Sequence, residues 1–204
     1  MRRVVARIAK HVRRGRVPKH LVPVLSVEGQ LGDREVCQLA GLAGDVPADQ
    51  AIVEVGSYRG RSAGALALGS RKGHGSRVYC IDPHVEFTGL RGGCYGPPDQ
   101  AALYSNLTRL GIGEVVSVIS LPSTHAAKAW PAQSIGLLWI DGDHRYDAVL
   151  ADFTAWYPYV VPAGVIAMHD VDLDDVRRVV DWALRERMLE PLDHLETMAW
   201  FRKL

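Results

Sequence analysis

The sequence predicts a doubly wound α/β sandwich with an antiparallel edge, and three observations carry that prediction. Short apolar runs alternate with helical stretches from about residue 48 onward. The runs are nearly continuous in apolar character, as strands covered by helices on both faces are. The chain closes on two adjacent strand-like segments that read as a hairpin. Strands alternating with helices build parallel βαβ units.

At 204 residues the chain has room for one domain and an appendage. Hydrophobic residues make up 48% and charged residues 23%, which excludes a disordered, collagen-like or disulfide-miniprotein chain. No run of 18 apolar residues occurs, so no membrane span is expected. The elements follow in order. Residues 2–14 set Val4, Val5, Ile8 and Val12 on one helical stripe backed by arginines. Pro18 and Pro23 break that pattern, and a second short helix is predicted over 32–43. AIVEVG (51–56) is a strand, 61–70 a helix and 76–82 a strand. A Gly- and Pro-rich loop covers 88–100, where Arg91, Tyr95 and four glycines suit a substrate lid. A helix over 99–110, a strand over 115–120 and a helix over 123–130 come next. Strands at 135–141 and 164–170 are each followed by a helix, over 145–157 and 172–188. Strands near 191–195 and 197–203 end the chain. The division that results is an N-terminal helical arm or lid, 1–47, and a single α/β domain, 48–204.

The net charge of +1 hides an asymmetry. Residues 1–20 hold eight of the 24 Lys and Arg and none of the 23 acids, so the remaining chain carries 16 bases against 23 acids, a net of −7. A basic arm of this kind can grip nucleic acid, but the body lacks a basic, aromatic-rich strand face, and no nucleic-acid partner is expected. Three cysteines, odd in number and without a CxxC pair, point to free thiols and a cytoplasmic protein rather than disulfides or a zinc site.

Ligands of doubly wound sheets bind beyond the carboxyl ends of the strands, near the point where strand order reverses. The residues there are Glu54, Gly56 and Ser57 after the first strand, Asp82 after the second and Ser123 after the third. Asp141, Asp143 and His144 follow the fourth, and His169 and Asp170 the fifth. The first turn, EVGSYRGRS, spaces Gly56 and Gly60 as GxxxG, and runs on to Ser62. It lacks the GxGxxG of dinucleotide binders and the GxxxxGK[ST] of phosphate cradles. An acid inside the turn and another, Asp82, placed to accept ribose hydroxyls suit a positively charged nucleoside such as S-adenosylmethionine (SAM). The bland alternatives are a glycine turn that only joins strand to helix, and aspartates that only cap helices. Capping explains one acid and not a cluster. Asp141 and Asp170 end strands expected to be neighbours, and converging oxygen ligands suit Mg²⁺ or Mn²⁺. His144, three residues beyond Asp141, can take a proton near neutral pH. Asp143 and Asp152 read as structural or substrate-facing.

EVGSYRGRSA, VYCIDPH and LLWIDGDHRYDAVLADFTAWYPYVVPAGVIAMHD resemble the blocks of class I SAM-dependent methyltransferases, over roughly 48–204. Within that class they are similar to small metal-dependent sugar O-methyltransferases related to macrolide-sugar enzymes and cephalosporin-hydroxylase-like proteins. Length and Arg-rich composition are also similar to 1-O-methyltransferases of mycobacterial methylmannose polysaccharide. The resemblance implies a Rossmann-like sandwich with a seven-stranded, mostly parallel sheet, an antiparallel C-terminal hairpin and helices on both faces. It implies SAM held by Glu54, Gly56, Ser57, Gly60, Ser62, Asp82 and Ser123. It implies a divalent metal, Mg or Mn, at Asp141, His169 and Asp170, where His169 replaces a carboxylate usual at that position. Asp141 and His144 are then the catalytic pair, with His144 the base for a sugar hydroxyl, such as the 1-OH of a methylated mannoside or of an oligosaccharide. A catechol or polyketide hydroxyl is the alternative acceptor, and a nicotinamide-dependent oxidoreductase the alternative of another class. A homodimer is the expected assembly.

Overall fold

A computed structural model describes residues 17–90 and 92–204; the helix predicted over 2–14, and Arg91 of the predicted lid, lie outside the described residues. A 3₁₀ stretch, Lys19–Ser26, comes first and carries Pro23 inside it. It is followed by α1 (Asp33–Gly44), β1 (Ala51–Val55), α2 (Arg61–Lys72) and β2 (Val78–Ile81). The 88–100 loop is more ordered than its glycines suggest: β3 (Phe87–Thr88) and β4 (Cys94–Tyr95) pair antiparallel as a small separate ribbon. Then come α3 (Pro97–Arg109), β5 (Val116–Ile119), α4 (Ser123–Lys128), β6 (Ile135–Ile140) and α5 (Tyr146–Trp156). The chain ends with β7 (Val160–Met168), α6 (Asp174–Arg185), β8 (Leu189–Leu195) and β9 (Met198–Lys203).

The main sheet has seven strands in the order β5-β2-β1-β6-β7-β9-β8. The five from β5 to β7 are parallel, and β9 runs antiparallel between β7 and β8. Strand order reverses between β1 and β6, so the crevice that a doubly wound sheet offers a ligand opens above their carboxyl ends. β7 starts at Val160, four residues before the predicted 164, because its pairing with β6 jumps from Val160 to Val165. The excursion contains Pro162, Ala163 at φ +63° and Gly164, which read as a breaker while the strand continues around them.

Strand side chains alternate between two cores. Ile52, Cys80, Leu137, Trp139 and Ala167 pack against α1, α2 and α3. Val53, Val55, Leu138, Ile140 and Met168 pack against α4, α5 and α6. Leu21 and Val24 of the 3₁₀ stretch and Val36, Leu39 and Ala43 of α1 belong to the first core, so the described part of residues 1–47 is packed into the sandwich. Burying apolar area on this scale is the main favourable term of folding. The two-residue period carries His169 to the face of Ala167, beside Trp139 and Glu35, whereas Asp170, at φ 52°, has left the strand and lines the cavity.

Candidate functional site

A cavity of about 700 Å³ opens at the carboxyl ends of β1, β2, β6 and β7, within the size range of small-molecule sites. Its wall includes Gly56, Ser57, Ser62, Asp82 and Ser123 of the predicted nucleoside set, and Asp141, His144 and Asp170 of the predicted reaction centre. Glu54, Gly60 and His169 do not line it.

The turn after β1 is shaped by two left-handed glycines. Gly56 has φ +85°, and a Cβ there would stand 2.2 Å from the Asp141 carbonyl oxygen. Gly60, at φ +90°, caps α2, and its Cβ would meet Leu103 at 2.7 Å. Non-glycine residues in the left-handed region are uncommon, yet Tyr58, His84 and Asp170 (φ 45°, 48° and 52°) all adopt it around the cavity. Asp82 braces the turn: its Oδ2 accepts the amides of Ser57 at 2.9 Å and Tyr58 at 3.0 Å, and its Oδ1 accepts the His84 amide at 2.9 Å. Three amides thus hold the carboxylate that the sequence assigns to ribose. Ser123 accepts the Trp156 indole N–H at 2.8 Å, so its hydroxyl is held at the wall.

Glu54 lies beneath the turn, fully buried in the face of Ile52 and Cys80. Burial pushes its carboxyl up to about 7, and hydrogen bonding to Cys80, Ser62 and Ser57 only moderates the rise. Neither oxygen has a partner at normal hydrogen-bond geometry, so this acid keeps its proton well above the pH at which an ordinary carboxyl loses it.

At the floor, single donor atoms of Asp141, His144 and Asp170 lie within 4.8 Å of one another. His144 Nε2 is 3.4 Å from Asp141 Oδ1 and 3.1 Å from Asp170 Oδ2. Burial disfavours the charged imidazole, but hydrogen bonding to Asp141 and the charges of Asp141 and Asp170 outweigh it and raise its pKa. His169 is not part of this convergence. It sits behind the carboxylates, 3% exposed, with Nδ1 3.3 Å from Asp141 Oδ1 and 3.5 Å from Asp170 Oδ2. Against the cost of burial, these carboxylates push its pKa up to about 12. Burial alone would raise Asp141 and Asp170; the neighbouring His169 and His144 bring both below the ordinary carboxylate value.

The far side of His169 meets a residue that the sequence reading missed. Glu35 of α1, 2% exposed, stands with Oε2 3.3 Å from His169 Nε2 and 2.9 Å from the Gly32 amide that donates to it. Its Oε1 accepts the Thr197 amide at 3.1 Å and the Thr197 hydroxyl at 3.0 Å. Burial works to raise Glu35, and hydrogen bonds from His169 and Gly32 turn the balance downward. The signal was present: Glu35 lies four residues before Leu39 on the apolar stripe of α1, where an acid demands a buried partner.

The donor set fits a divalent cation at Asp141 and Asp170: two ionised carboxylates converge at a cavity floor with an open side. His169, facing Glu35, offers the cavity no lone pair, whereas His144 does. Asp143 is tied to Arg145 through the Arg145 amide at 3.1 Å and guanidinium at 2.6 Å. Asp152 lines the cavity, and its burial pushes its carboxyl up to about 6. Among the described residues no helix is long and apolar enough to cross a membrane.

Residues 53–171 match a protein family described as a methyltransferase domain. Among solved structures, the chain is similar to cofactor-bound Rv0187 from MTB at 18% identity, over 98% of this chain and 89% of that one, with a TM-score of 0.70. It is similar to the O-methyltransferase NovP at 15% identity, over 84% and 80% of the two chains, with a TM-score of 0.71. It is also similar to CalS11, a TDP-rhamnose 3'-O-methyltransferase in calicheamicin biosynthesis, at 16% identity, over 98% and 92%, with a TM-score of 0.62. At these identities the likeness is one of fold.

Proposed function

The chain belongs to the methyltransferase-domain family, and from that premise we propose that it transfers a methyl group from SAM to a sugar hydroxyl, with divalent-metal assistance and His144 as general base. One observation carries the reading: Asp141, His144 and Asp170 converge at the floor of a cavity whose wall is the glycine turn of β1. A sugar-acting enzyme, a TDP-rhamnose 3'-O-methyltransferase, is among the proteins that share this fold, and the choice of a sugar acceptor is what the assay below tests.

Gly56, Ser57, Ser62, Asp82 and Ser123 would hold SAM, and Asp141 and Asp170 the cation. When bound, SAM supplies a methyl group on its sulfonium, and the cation supplies positive charge beside the acceptor oxygens. His144 Nε2 takes the proton of the reacting hydroxyl. The oxygen forms its bond to the methyl carbon as the sulfur–methyl bond breaks, leaving a neutral thioether. Holding the two reactants in line supplies much of the remaining acceleration.

A methyl-transfer assay over mono- and oligosaccharides and catechols, with and without EDTA, tests the reading. Sugar methylation that EDTA abolishes and Mg²⁺ restores is the expected result. Activity confined to catechols, or sugar methylation indifferent to EDTA, overturns it.

A further inference from the structure

The β3–β4 ribbon gives the cavity a wall whose chemistry differs from its floor. Strand residues alternate in direction, and here the alternation separates polar from apolar. Val85 and Phe87 line the cavity together with Tyr95 of the return strand and Leu90 of the connection, whereas Glu86, Thr88 and Cys94 do not. Protein covers the three aliphatic and phenyl side chains only in part: Val85 is 59% exposed, Phe87 38% and Leu90 50%. Phe87 stacks on Tyr95 with ring centroids 4.8 Å apart, and Tyr95 meets the edge of Tyr58 at 5.3 Å, so three rings of the cavity wall hold one another in place.

The ribbon is also tied to the reaction floor. Arg145 donates to the Thr88 carbonyl at 2.8 Å while paired with Asp143, in the same loop as His144. Val85, Phe87 and Leu90 therefore line the same cavity as His144, on a segment tied to the His144 loop. His84, the histidine of this segment, is 6% exposed, with its ring nitrogens at the carbonyls of Asp82 and Tyr58. A polar sugar gains little from such a wall, whereas an apolar substituent on that sugar loses its contact with water there.

We infer that the acceptor is amphipathic: a hydroxyl-bearing sugar unit at Asp141, His144 and Asp170 that carries an apolar alkyl or aryl body laid across Val85, Phe87 and Leu90. This inference rests on the proposed hydroxyl methylation and specifies what the hydroxyl is attached to.

The test compares matched acceptors, methyl glycosides against hexyl and phenyl glycosides of the same sugars, with the protein under SAM saturation. The apolar glycosides should show kcat/KM higher by about tenfold or more, expressed in KM. In Phe87→Ser and Leu90→Ser, that ratio should fall towards one, with the rise in Tm caused by S-adenosylhomocysteine retained as proof of folding. Equal kcat/KM for methyl and hexyl glycosides overturns the inference, as does a preference that both serine variants keep. Failure of the underlying reading looks different: no glycoside of either kind is methylated. A catechol and its alkyl derivative then carry the same comparison, and equal KM values for that pair also overturn the inference.

Discussion

At the residue scale only one of the two histidines expected at the site, His144, faces the cavity. His169 follows a strand whose previous inward residue on that face, Ala167, packs against α1 and α2. Its ring is carried to that side, where Glu35 and Thr197 hold it. His144 lies in a turn free of strand alternation and reaches both Asp141 and Asp170. Position along the strand, read with its two-residue period, contained this difference; reading the strand ends as one undivided cluster concealed it. Of the two, only His144 has access to an acceptor. His144→Ala should lower kcat by about 10²–10⁴-fold, the range of a lost general base, and leave S-adenosylhomocysteine affinity, measured by calorimetry, within about twofold. Turnover close to that of the unsubstituted protein removes His144 from the role.

At the scale of elements, the turn between β1 and α2 couples two strand ends. Gly56 is both left-handed and pressed against the Asp141 backbone, so any side chain there moves the loop that bears Asp141 and His144. Gly75 is left-handed too, at φ +79°, but open space surrounds it. The pair separates backbone strain from close approach. Gly75→Ala should cost only the strain, on the order of 1–2 kcal/mol. Gly56→Ala should cost at least about 2 kcal/mol more in urea denaturation and abolish binding of S-adenosylhomocysteine. Equal losses in the two variants would show that contact with Asp141 does not constrain the turn. Most elements were legible from hydrophobic period: β1, α2, β6 and α5 lie within a residue or two of their predicted bounds. Two were not. The Pro162–Gly164 excursion hid the start of β7, and the β3–β4 ribbon is too short, at two residues a strand, to leave a periodic signature. Glu35 escaped notice because its partner, His169, is 134 residues away and only the packing of α1 on the sheet joins them.

At the scale of the whole molecule, the formal charge of the acidic body overstates what the folded chain carries. Glu54, Asp82, Asp141, Asp143 and Asp170 all stand at strand ends, but they are not five equivalent charges. Asp141 and Asp170 are held ionised beside His169 and His144, while Glu54 is raised to about 7 and Asp152, nearby in the wall, to about 6. A carboxyl with a raised folded pKa contributes its full stability below its unfolded value, here 4.5 for Glu54. As pH climbs from there through about 7, the folded state retains a proton that the unfolded state has lost, and stability falls. A rise from 4.5 to about 7 corresponds to ~3 kcal/mol at full ionisation. Glu54→Gln keeps the shape of the neutral acid and cannot ionise. Urea denaturation of both proteins between pH 4.5 and 8 should therefore show near-equal stability at the acid end. The glutamine variant should gain progressively with pH, reaching ~3 kcal/mol by pH 8. A constant difference across the range means that Glu54 is ionised in the folded state, and the strand-end acids then form one continuous negative rim. A difference that grows with pH means that Glu54 holds its proton into the range where Asp141 and Asp170 are already ionised, and those two carry the charge that a divalent ion meets.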